Sequence, residues 1–599
     1  MDFLGKLGVI REKMRGNGVG AVVLPSADPH QSPSVSAHWK TVQWLTGFSG
    51  SLAICIISAD AAALWTDGRY LLQAQRELEG KDVEIYISSD PDAPDYTQWI
   101  CGHIKDGETA VVDKSLISAA EYNSVSQKLA LKNIKIDDYD DYVGEFWKER
   151  PPISREPLFE LADAYAGVSR KAKAESVRAK MREKQADCYI ASSLDAVAWL
   201  TNLRGGDNPI YPLFHSYLLF TEENIWLCAE LSKVGADIAE KLKSDGFRLC
   251  GLNDIFALAA VETVGKRVYL DRYKTSARLC DSLPQKSSVV EGIDLITSIK
   301  SKKSEAEREN IRLSNIKECV ALCRLIKYIK ENVGKSAMDE YGIGQKVNEF
   351  RAMDPLFMRP ANVPIVAVSE NAALPHYKPR QGASRAIEPN GFLLFDLCAH
   401  YYTGSTDITR TIQIGPLSDE MRRDYTNVLK AHISLATLVF PFGTTGFVID
   451  GIVKSHQWRR RMNYDTGTGH GIGYCLDIHE GPCKIVSEFS PLFPYAMTVP
   501  LDVGMLFSNE PGVYKKGRFG VRLENNIMVR EDCVNEFGRF LKFETLTYCP
   551  FERCAIVKEM LTEEELEWLN AYHRKTYEIL SPCLNTEEKA WLKNETAEM

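Results

Sequence analysis

The glycine-rich stretch from Tyr464 to Pro482 contains two of the chain's eleven histidines, His470 and His479. Gly469 and Gly471 flank His470 on either side. Glycine allows backbone conformations and close approaches that other residues do not. A histidine framed in this way indicates an imidazole presented to a ligand or ion in a tight cavity, with an incidental surface histidine as the plain alternative.

A second segment, "FLLFDLCAHYYTGSTDITRTIQIG", offers two carboxylates. The turn signal "YTGS" separates two runs of β-branched and aromatic residues, which predicts a β-hairpin with Asp396 and Asp407 on opposite arms. Asp396 follows apolar residues, and a carboxylate in such a place needs a positive partner. A salt bridge from either aspartate to Arg410 is the simple alternative to a functional role.

A third segment, "LFSNEPGVYKKGRFGVRLENNIMV", repeats this arrangement with Glu510 and Glu524 around a glycine-bearing turn. The pattern predicts a second hairpin whose acids point to the same place as the two aspartates and His470. Four carboxylates that converge without a cation would repel one another. An oxygen-rich set with one imidazole suits Mn²⁺, Co²⁺ or Zn²⁺ in a two-metal site rather than a thiolate zinc site.

The elements around these motifs predict several domains. "REKMRGNGVGAVVLPSAD" (Arg11–Asp28) resembles "RAKMREKQADCYIASSLD" (Arg178–Asp195), and each copy indicates a helix end followed by a strand. Two tandem domains of one α/β fold explain this repeat. The proline-containing segment Lys148–Pro157 is the predicted break between them. A long helical pattern with a capping box at Ser304 and Glu307 begins the third unit.

Composition narrows the class of protein. The 599 residues exceed one core, and 45% hydrophobic with 26% charged residues is typical of a globular protein. The net charge of −9 is spread along the chain, which argues against a nucleic-acid partner. The N-terminus lacks an apolar signal segment, and the most apolar stretch, interrupted by Asp60, is too short for a bilayer. Fifteen scattered cysteines indicate reduced thiols in the cytoplasm, and Cys319 with Cys323 indicates buried thiols on a helix rather than a metal pair.

The ordered motifs Asp-x10-Asp, Gly-Thr-Gly-His-Gly, His-Glu-Gly-Pro, Glu-Pro-Gly and Arg-x-Glu-Asn resemble the pita-bread metallopeptidases. Within these, the chain is most similar to the cytosolic three-domain aminopeptidase P (Xaa-Pro aminopeptidase) family. The resemblance spans nearly the whole chain and includes "LPSADPHQS", "LWTDGRYLLQA", "LDAVAWLTNLRG" and "FLKFETLTYCPFE". It implies an α/β (α+β) fold: two creatinase-type N-terminal α/β domains, residues 1–152 and 153–300, followed by a pita-bread catalytic domain with a C-terminal extension, residues 301–599.

The resemblance also implies a role for each acid of the set. Asp396 would bind one metal ion, Asp407 and Glu524 would bridge two ions, and His470 and Glu510 would complete the second position. Two divalent ions per chain are expected, with Mn²⁺ preferred and Co²⁺ or Zn²⁺ as alternatives.

The same resemblance implies the reaction. A water or hydroxide held between the ions would attack the scissile carbonyl, and Glu510 would accept its proton. His376 and His479 would line the site and stabilise the tetrahedral intermediate or relay a proton, and Arg522 would lie near the bridging glutamate. The expected substrates are peptides with proline at position two, from which the N-terminal residue is removed. The expected assembly is a homodimer formed through the catalytic domain, in the cytoplasm, with no nucleic-acid or membrane partner.

The chain departs from the family pattern at two positions. Thr466 replaces the first histidine of a common His-Gly-Thr-Gly-His motif, and Cys398 replaces the glycine of a common Asp-x-Gly motif. Neither change removes an expected metal ligand, so the departures bear on efficiency and substrate preference. The alternatives are a prolidase, a creatinase-like enzyme without metal ligands and a chaperone-type binding module. The tandem repeat and the complete ligand set argue against the first two, and the complete ligand set with the absence of an acidic tail argues against the third.

Overall fold

The computed structural model describes residues 1–88, 90–489 and 495–599. These residues form two compact units. The first comprises Met1–Glu160 and Ser169–Ile299, and the second comprises Leu161–Val168 and Lys300–Met599. A finer division at residues 152/153 and 300/301 stays a prediction. No helix among the described residues combines the length and the apolar character needed to cross a bilayer.

The first unit begins with a six-stranded mixed sheet and five helices. The strands are β1 (Val19–Pro25), β2 (Ile54–Ser58), β3 (Ala62–Thr66), β4 (Glu84–Ile87), β5 (Thr109–Val112) and β6 (Lys135–Asp138). The helices are α1 (Phe3–Asn17), α2 (Thr41–Thr46), α3 (Leu71–Glu77), α4 (Tyr96–His103) and α5 (Ala119–Ala130). Alternation along β1 fills two cores, because Val22 and Leu24 pack with α1 whereas Ala21 and Val23 pack with α4 and α5.

The remainder of the first unit builds a second six-stranded sheet. Its elements, with those that lead into it, are β7 (Phe159–Glu160), α6 (Asp163–Ala166, part of the second unit), α7 (Arg170–Glu183), β8 (Cys188–Ala191), α8 (Leu194–Thr201), β9 (Leu203–Arg204), β10 (Ser216–Phe220), β11 (Ile225–Ala229), α9 (Ala236–Ser244), β12 (Phe247–Gly251), α10 (Asp254–Glu262), β13 (Arg267–Leu270), α11 (Ala277–Asp281), β14 (Ser288–Glu291) and α12 (Leu295–Lys300). The predicted break at Lys148–Pro157 contains no helix or strand.

The two sheets confirm the repeat predicted from the sequence. Their strand orders are β4-β3-β2-β1-β5-β6 and β12-β11-β10-β8-β13-β14. Each has the same pattern of parallel and antiparallel neighbours, strand for strand. The similar stretches Arg11–Asp28 and Arg178–Asp195 lie at equivalent places, across the end of α1 with β1 and the end of α7 with β8.

The second unit continues with helices and three sheets, of four, six and two strands. Its elements are α13 (Glu305–Asn332), α14 (Glu340–Arg351), β15 (Phe357–Pro360), β16 (Ile365–Val368), β17 (Phe392–Tyr401), β18 (Gly404–Gln413), α15 (Asp419–Ala436), β19 (Val439–Pro441), α16 (Gly446–Trp458), β20 (Gly469–Gly471), β21 (Glu480–Ile485), β22 (Leu506–Asn509), β23 (Gly512–Lys515), β24 (Phe519–Arg522), β25 (Asn525–Asn535), β26 (Gly538–Thr545), α17 (Glu563–Leu580) and α18 (Thr586–Glu595). The predicted capping box of Ser304 and Glu307 begins α13.

Both predicted hairpins are present. β17 pairs antiparallel with β18, and both β15 and β16 pair with β17. The second hairpin is longer than one turn, because β22 pairs with β25 and the chain between them continues as the β23–β24 pair. The larger sheet has the order β19-β26-β25-β22-β20-β21.

The apolar face of the β17–β18 hairpin packs against α13. Leu393, Phe395 and Leu397 of β17 and Ile408 and Ile412 of β18 join a core that includes residues of α13. Side chains alternate across a strand, so Asp396 and Asp407 lie on the opposite face. Helix packing on one face thereby fixes which face of the hairpin carries the acids.

Candidate metal centre

Four side chains share the face of the β17–β18 hairpin that α13 leaves uncovered. In the strand register Asp396 lies opposite Thr409, and Cys398 lies opposite Asp407. The two aspartates are thus diagonal neighbours across the pair, and the residue that directly faces Asp407 is a cysteine. Diagonal neighbours on one face remain within reach of each other's side chains.

Asp396 is held by Arg522 from the end of β24. The Arg522 guanidinium donates to the Oδ2 of Asp396 at 2.6 Å and to the hydroxyl oxygen of Tyr514 at 2.7 Å. Arg410, the partner that the simple alternative required, instead donates to backbone carbonyls that include Cys549 and Glu524. The salt-bridge alternative is therefore wrong, because Arg410 lies on the α13 face of β18.

A second group of side chains lies close together next to Asp396: those of Asp407, His470 and Glu510. His470 Nε2 lies 3.4 Å from Asp407 Oδ2 and 3.5 Å from Glu510 Oε1. The Nδ1 of the same ring lies 2.9 Å from the carbonyl oxygen of Gly471. A carbonyl acceptor fixes the proton on Nδ1, which leaves the Nε2 lone pair available to an electrophile. The Ser508 hydroxyl donates to Glu510 Oε1 at 3.0 Å.

Glu524 lies close to Asp407 and His470 and is buried. Its Oε2 accepts a hydrogen bond from the Thr409 hydroxyl at 2.7 Å. Its Oε1 has no hydrogen-bond partner among the described residues. A buried, unpartnered carboxylate oxygen is costly unless something positive meets it. This atom is the clearest mark that a cation belongs at the centre.

The pKa shifts of the clustered side chains also favour a cation at the centre. Burial, with the neighbouring charges of Asp407 and Glu510, raises the pKa of Asp396 to about 7 even though Arg522 opposes the shift. Burial also raises the pKa of Glu510 and raises that of Glu524 well above its ordinary value. Burial alone would lower the pKa of His470, but the hydrogen bond to Asp407 and the charge of Glu510 outweigh it and raise that pKa. Among the described contacts of these four carboxylates, the cationic partners are the Arg522 guanidinium and the His470 imidazole. The negative charge of the cluster therefore exceeds the positive charge of these two partners.

The donor atoms form two overlapping groups that fit metal ions. Oxygen and nitrogen atoms of Asp407, His470 and Glu524 lie within 4.8 Å of one another, and atoms of Asp396, Cys398 and Asp407 do the same. Asp407 belongs to both groups. Two adjacent cation positions that share a carboxylate are the arrangement of two-metal hydrolytic sites.

The predicted histidines differ in how closely they join the centre. The His479 ring lies 4.2 Å from the His470 ring, centroid to centroid. His376 is half-buried, and the carbonyl of its neighbour Pro375 accepts from Arg522 at 3.3 Å. Thr466 is half-buried, and its Oγ1 is buried without a hydrogen-bond partner in the part of the chain that the structure describes.

The glycines beside His470 allow a close approach, as the sequence suggested, but the groups that approach them are backbone carbonyls of neighbouring strands. A Cβ on Gly469 would lie 2.1 Å from the carbonyl oxygen of Ser508, and one on Gly471 would lie 2.4 Å from that of Glu480. Both contacts are far inside the van der Waals limit. Glycine is needed so that β21 and β22 can close on β20 from both sides.

Several residues of the centre were missed by sequence reasoning. Thr409 and Ser508 orient glutamates, and Tyr514 holds Arg522. Thr409 could have been found, because it lies two residues after Asp407 on a predicted strand and must share its face. Ser508 and Tyr514 carry no comparable signal.

A buried ion cluster supports the His479 segment. Glu480 accepts from Lys300 at 2.7 Å and from Lys303, and all three side chains are almost completely buried. Glu480 follows His479 directly, so the two lysines fix the start of β21 next to the centre.

We expect Glu480→Gln to destabilise the second unit strongly, because it removes the carboxylate charge that two buried ammonium groups contact. Removing one partner of a buried pair costs about 3–5 kcal/mol. Calorimetry should show the melting temperature of this unit lowered by several degrees. Asp502→Asn is the matched control: Asp502 pairs with the half-exposed Lys302 at 2.6 Å, and such a pair contributes about 0–1 kcal/mol. Equal effects of the two changes would contradict the account of this cluster.

Known families match nearly the whole chain. Residues 309–531 match metallopeptidase family M24, and residues 539–599 match the C-terminal region of peptidase M24. Residues 6–144 and 149–307 each match the creatinase/prolidase N-terminal domain. The tandem repeat is therefore two copies of one known domain.

Full-length relatives match as well. Aminopeptidase P2 of Arabidopsis thaliana is 32% identical over 99% of this chain and 88% of its own. Xaa-Pro aminopeptidase 1 of Dictyostelium discoideum is 32% identical over 99% of this chain and 97% of its own. The crystal structure of the X-prolyl aminopeptidase of Caenorhabditis elegans, described as a cytosolic enzyme with a di-nuclear active site, covers 100% of both chains with a TM-score of 0.94 and 28% identity. The chain therefore belongs to metallopeptidase family M24 and, within it, to the aminopeptidase P group.

Proposed function

We propose that this chain is a metallo-aminopeptidase that removes the N-terminal residue from peptides with proline at position two. One observation carries the proposal: four carboxylates and one imidazole converge on a buried centre in a chain that matches aminopeptidases P over its full length. The proposed ligands are Asp396, Asp407, His470, Glu510 and Glu524.

The proposed centre holds two divalent cations. Asp396 would hold one, His470 and Glu510 the other, and Asp407 and Glu524 would lie between them. Bound cations would supply Lewis-acid polarisation of the scissile carbonyl and a water of lowered pKa. The five donors suit Mn²⁺, with Co²⁺ and Zn²⁺ as alternatives.

Glu510 is the proposed general base. The Ser508 hydroxyl donates to its carboxylate at 3.0 Å, and Glu510 Oε1 lies 3.5 Å from His470 Nε2, so the carboxylate is held at the centre. A carboxylate within reach of the attacking water can accept its proton. Glu510 would take the proton of the attacking water and carry it toward the leaving nitrogen.

His479 and His376 are the proposed groups on the substrate side. The half-buried His479 ring lies against the His470 ring. In this place it can donate a hydrogen bond to the oxyanion of the tetrahedral intermediate. Arg522 contacts Asp396, Thr409 and Tyr514 rather than open space. We therefore assign Arg522 a positioning role, in which it orients Asp396 and offsets part of the negative charge.

Proline specificity has a physical reason. The X-Pro amide has no N–H and its ring fixes φ, so a peptidase that binds that N–H cannot process the bond. A site that anchors the free amine and accommodates the pyrrolidine ring can process it.

We also propose a cytosolic location and a homodimer formed through residues 301–599. The location is supported by the absence of disulfides among the described cysteines and by the cytosolic relative.

We expect X-Pro-Y tripeptides to be cut between X and Pro, and matched X-Ala-Y peptides to be cut much more slowly. A mass-spectrometric time course on paired peptides measures both rates. The X-Pro dipeptide is the control for length, since hydrolysis confined to the dipeptide would indicate a dipeptidase. Equal rates for X-Pro-Y and X-Ala-Y would indicate a general aminopeptidase and contradict the proposal.

We expect Glu510→Gln to retain the fold and lose at least about 10²-fold in kcat, because an amide cannot accept the proton of the water. Metal content measured on the same samples separates loss of the base from loss of a ligand. Glu531→Gln, in β25 with a surface partner in Arg539, is the control and should keep normal turnover. Near-normal kcat in Glu510→Gln would move the base role to another residue.

A further inference from the structure

Cys398 lies beside Asp396 and Asp407, two of the acids proposed to hold one cation. It is buried, and it follows Asp396 by two residues on β17, so both side chains point to the same face. Its Sγ lies 2.9 Å from Asp407 Oδ1 and 3.9 Å from Asp396 Oδ1. The three donor atoms Asp396 O, Cys398 Sγ and Asp407 O converge within 4.8 Å.

The backbone of β17 is braced at this point. The side chain of Asn362 accepts from the Cys398 N–H at 3.1 Å and donates to the Asp396 carbonyl at 3.3 Å. β15 pairs with one part of β17 and β16 with another. The two bonds of Asn362 lie between these parts of the strand. Outer contacts of this kind fix the direction of a ligand side chain.

The surroundings of Cys398 differ from those of a structural thiol. Cys319, Cys323 and Cys549 belong to the apolar core between α13 and the sheet. Cys398 belongs to none of the described apolar clusters and contacts two carboxylates. A thiol placed to fill space would gain nothing from that position, because buried cysteine otherwise packs as a small apolar residue.

We propose that Cys398 is a direct thiolate ligand of the cation bound between Asp396 and Asp407. The inference rests on the proposed metal centre. On binding, the sulfur–cation bond forms and the thiol proton leaves to solvent, as is general for cysteine ligands. No oxidant or reductant is required.

The thiolate changes which ion this position prefers. Sulfur is a soft donor that favours Zn²⁺ or Co²⁺, whereas oxygen donors alone suit Mn²⁺. The position that holds Cys398 therefore selects Zn²⁺ or Co²⁺ over Mn²⁺. The position formed by His470, Glu510 and Glu524 keeps the oxygen-rich set.

The first test is the absorption spectrum of chelated protein titrated with Co²⁺. A thiolate bound to Co²⁺ gives a charge-transfer band in the near ultraviolet, separate from the weaker visible bands of any bound Co²⁺. The wild type should show both. Cys398→Ser and Cys398→Gly should lose the near-ultraviolet band and keep visible bands. Cys483→Ser is the matched control, a buried thiol of the same unit whose sulfur contacts Met505 instead of a carboxylate, and should keep the band.

The second test compares ions by competition. Loss of a group that orients a metal ligand typically lowers metal affinity about 10–100-fold, and loss of a ligand itself should lower it at least as much. We therefore expect the ratio of Zn²⁺ to Mn²⁺ affinity to fall at least about tenfold in Cys398→Gly. Circular dichroism confirms the fold of each variant. An unchanged ratio, or visible Co²⁺ bands without a near-ultraviolet band in the wild type, would overturn the role of Cys398 and leave the metal centre intact. Absence of any Co²⁺ spectrum in wild type and variants would overturn the metal centre itself, and Cys398 with it.

Discussion

The second unit depends on how it manages the repulsion among four carboxylates, two of them buried and two half-buried. Each acid loses hydration on burial, and each raises the cost of ionising its neighbours. Among the described contacts, the guanidinium of Arg522 and the imidazole of His470 oppose this charge. Cations bound at the centre would thus stabilise the folded state as well as serve catalysis. They would offset the repulsion and lost hydration of the carboxylates, which the side chains alone do not offset.

The surrounding elements determine where that charge can gather. Packing of α13 on the hairpin assigns one face of β17 and β18 to the core and gives the other face to the acids. The second sheet brings His470 and Glu510 through strands that approach closely because Gly469 and Gly471 have no Cβ. Lys300 and Lys303 neutralise Glu480 at the edge of the same region. The closely spaced strands and the lysine–glutamate cluster therefore fix the positions of the residues around the acid cluster.

The sequence was most informative where periodicity and turn chemistry act locally. The hairpin around "YTGS", the capping box of α13 and the tandem repeat were all predictable from short stretches. The rejection of Arg410 as a partner was also within reach, because Asp407 and Arg410 are three residues apart on one strand and so face opposite sides. The ion cluster of Glu480 was not, since its lysines lie 180 and 177 residues away. Cys398 is intermediate: its face follows from Asp396, but its closeness to Asp407 depends on the strand register.

If the acid cluster binds two cations that the reaction requires, metal content and hydrolytic activity must change together. Elemental analysis of gently purified protein, combined with X-Pro-Y hydrolysis on the same preparation, tests it most directly. We expect up to two divalent ions per chain, with activity lost on chelation and restored when the ions are returned. Full hydrolytic activity in a preparation free of divalent metal would contradict it.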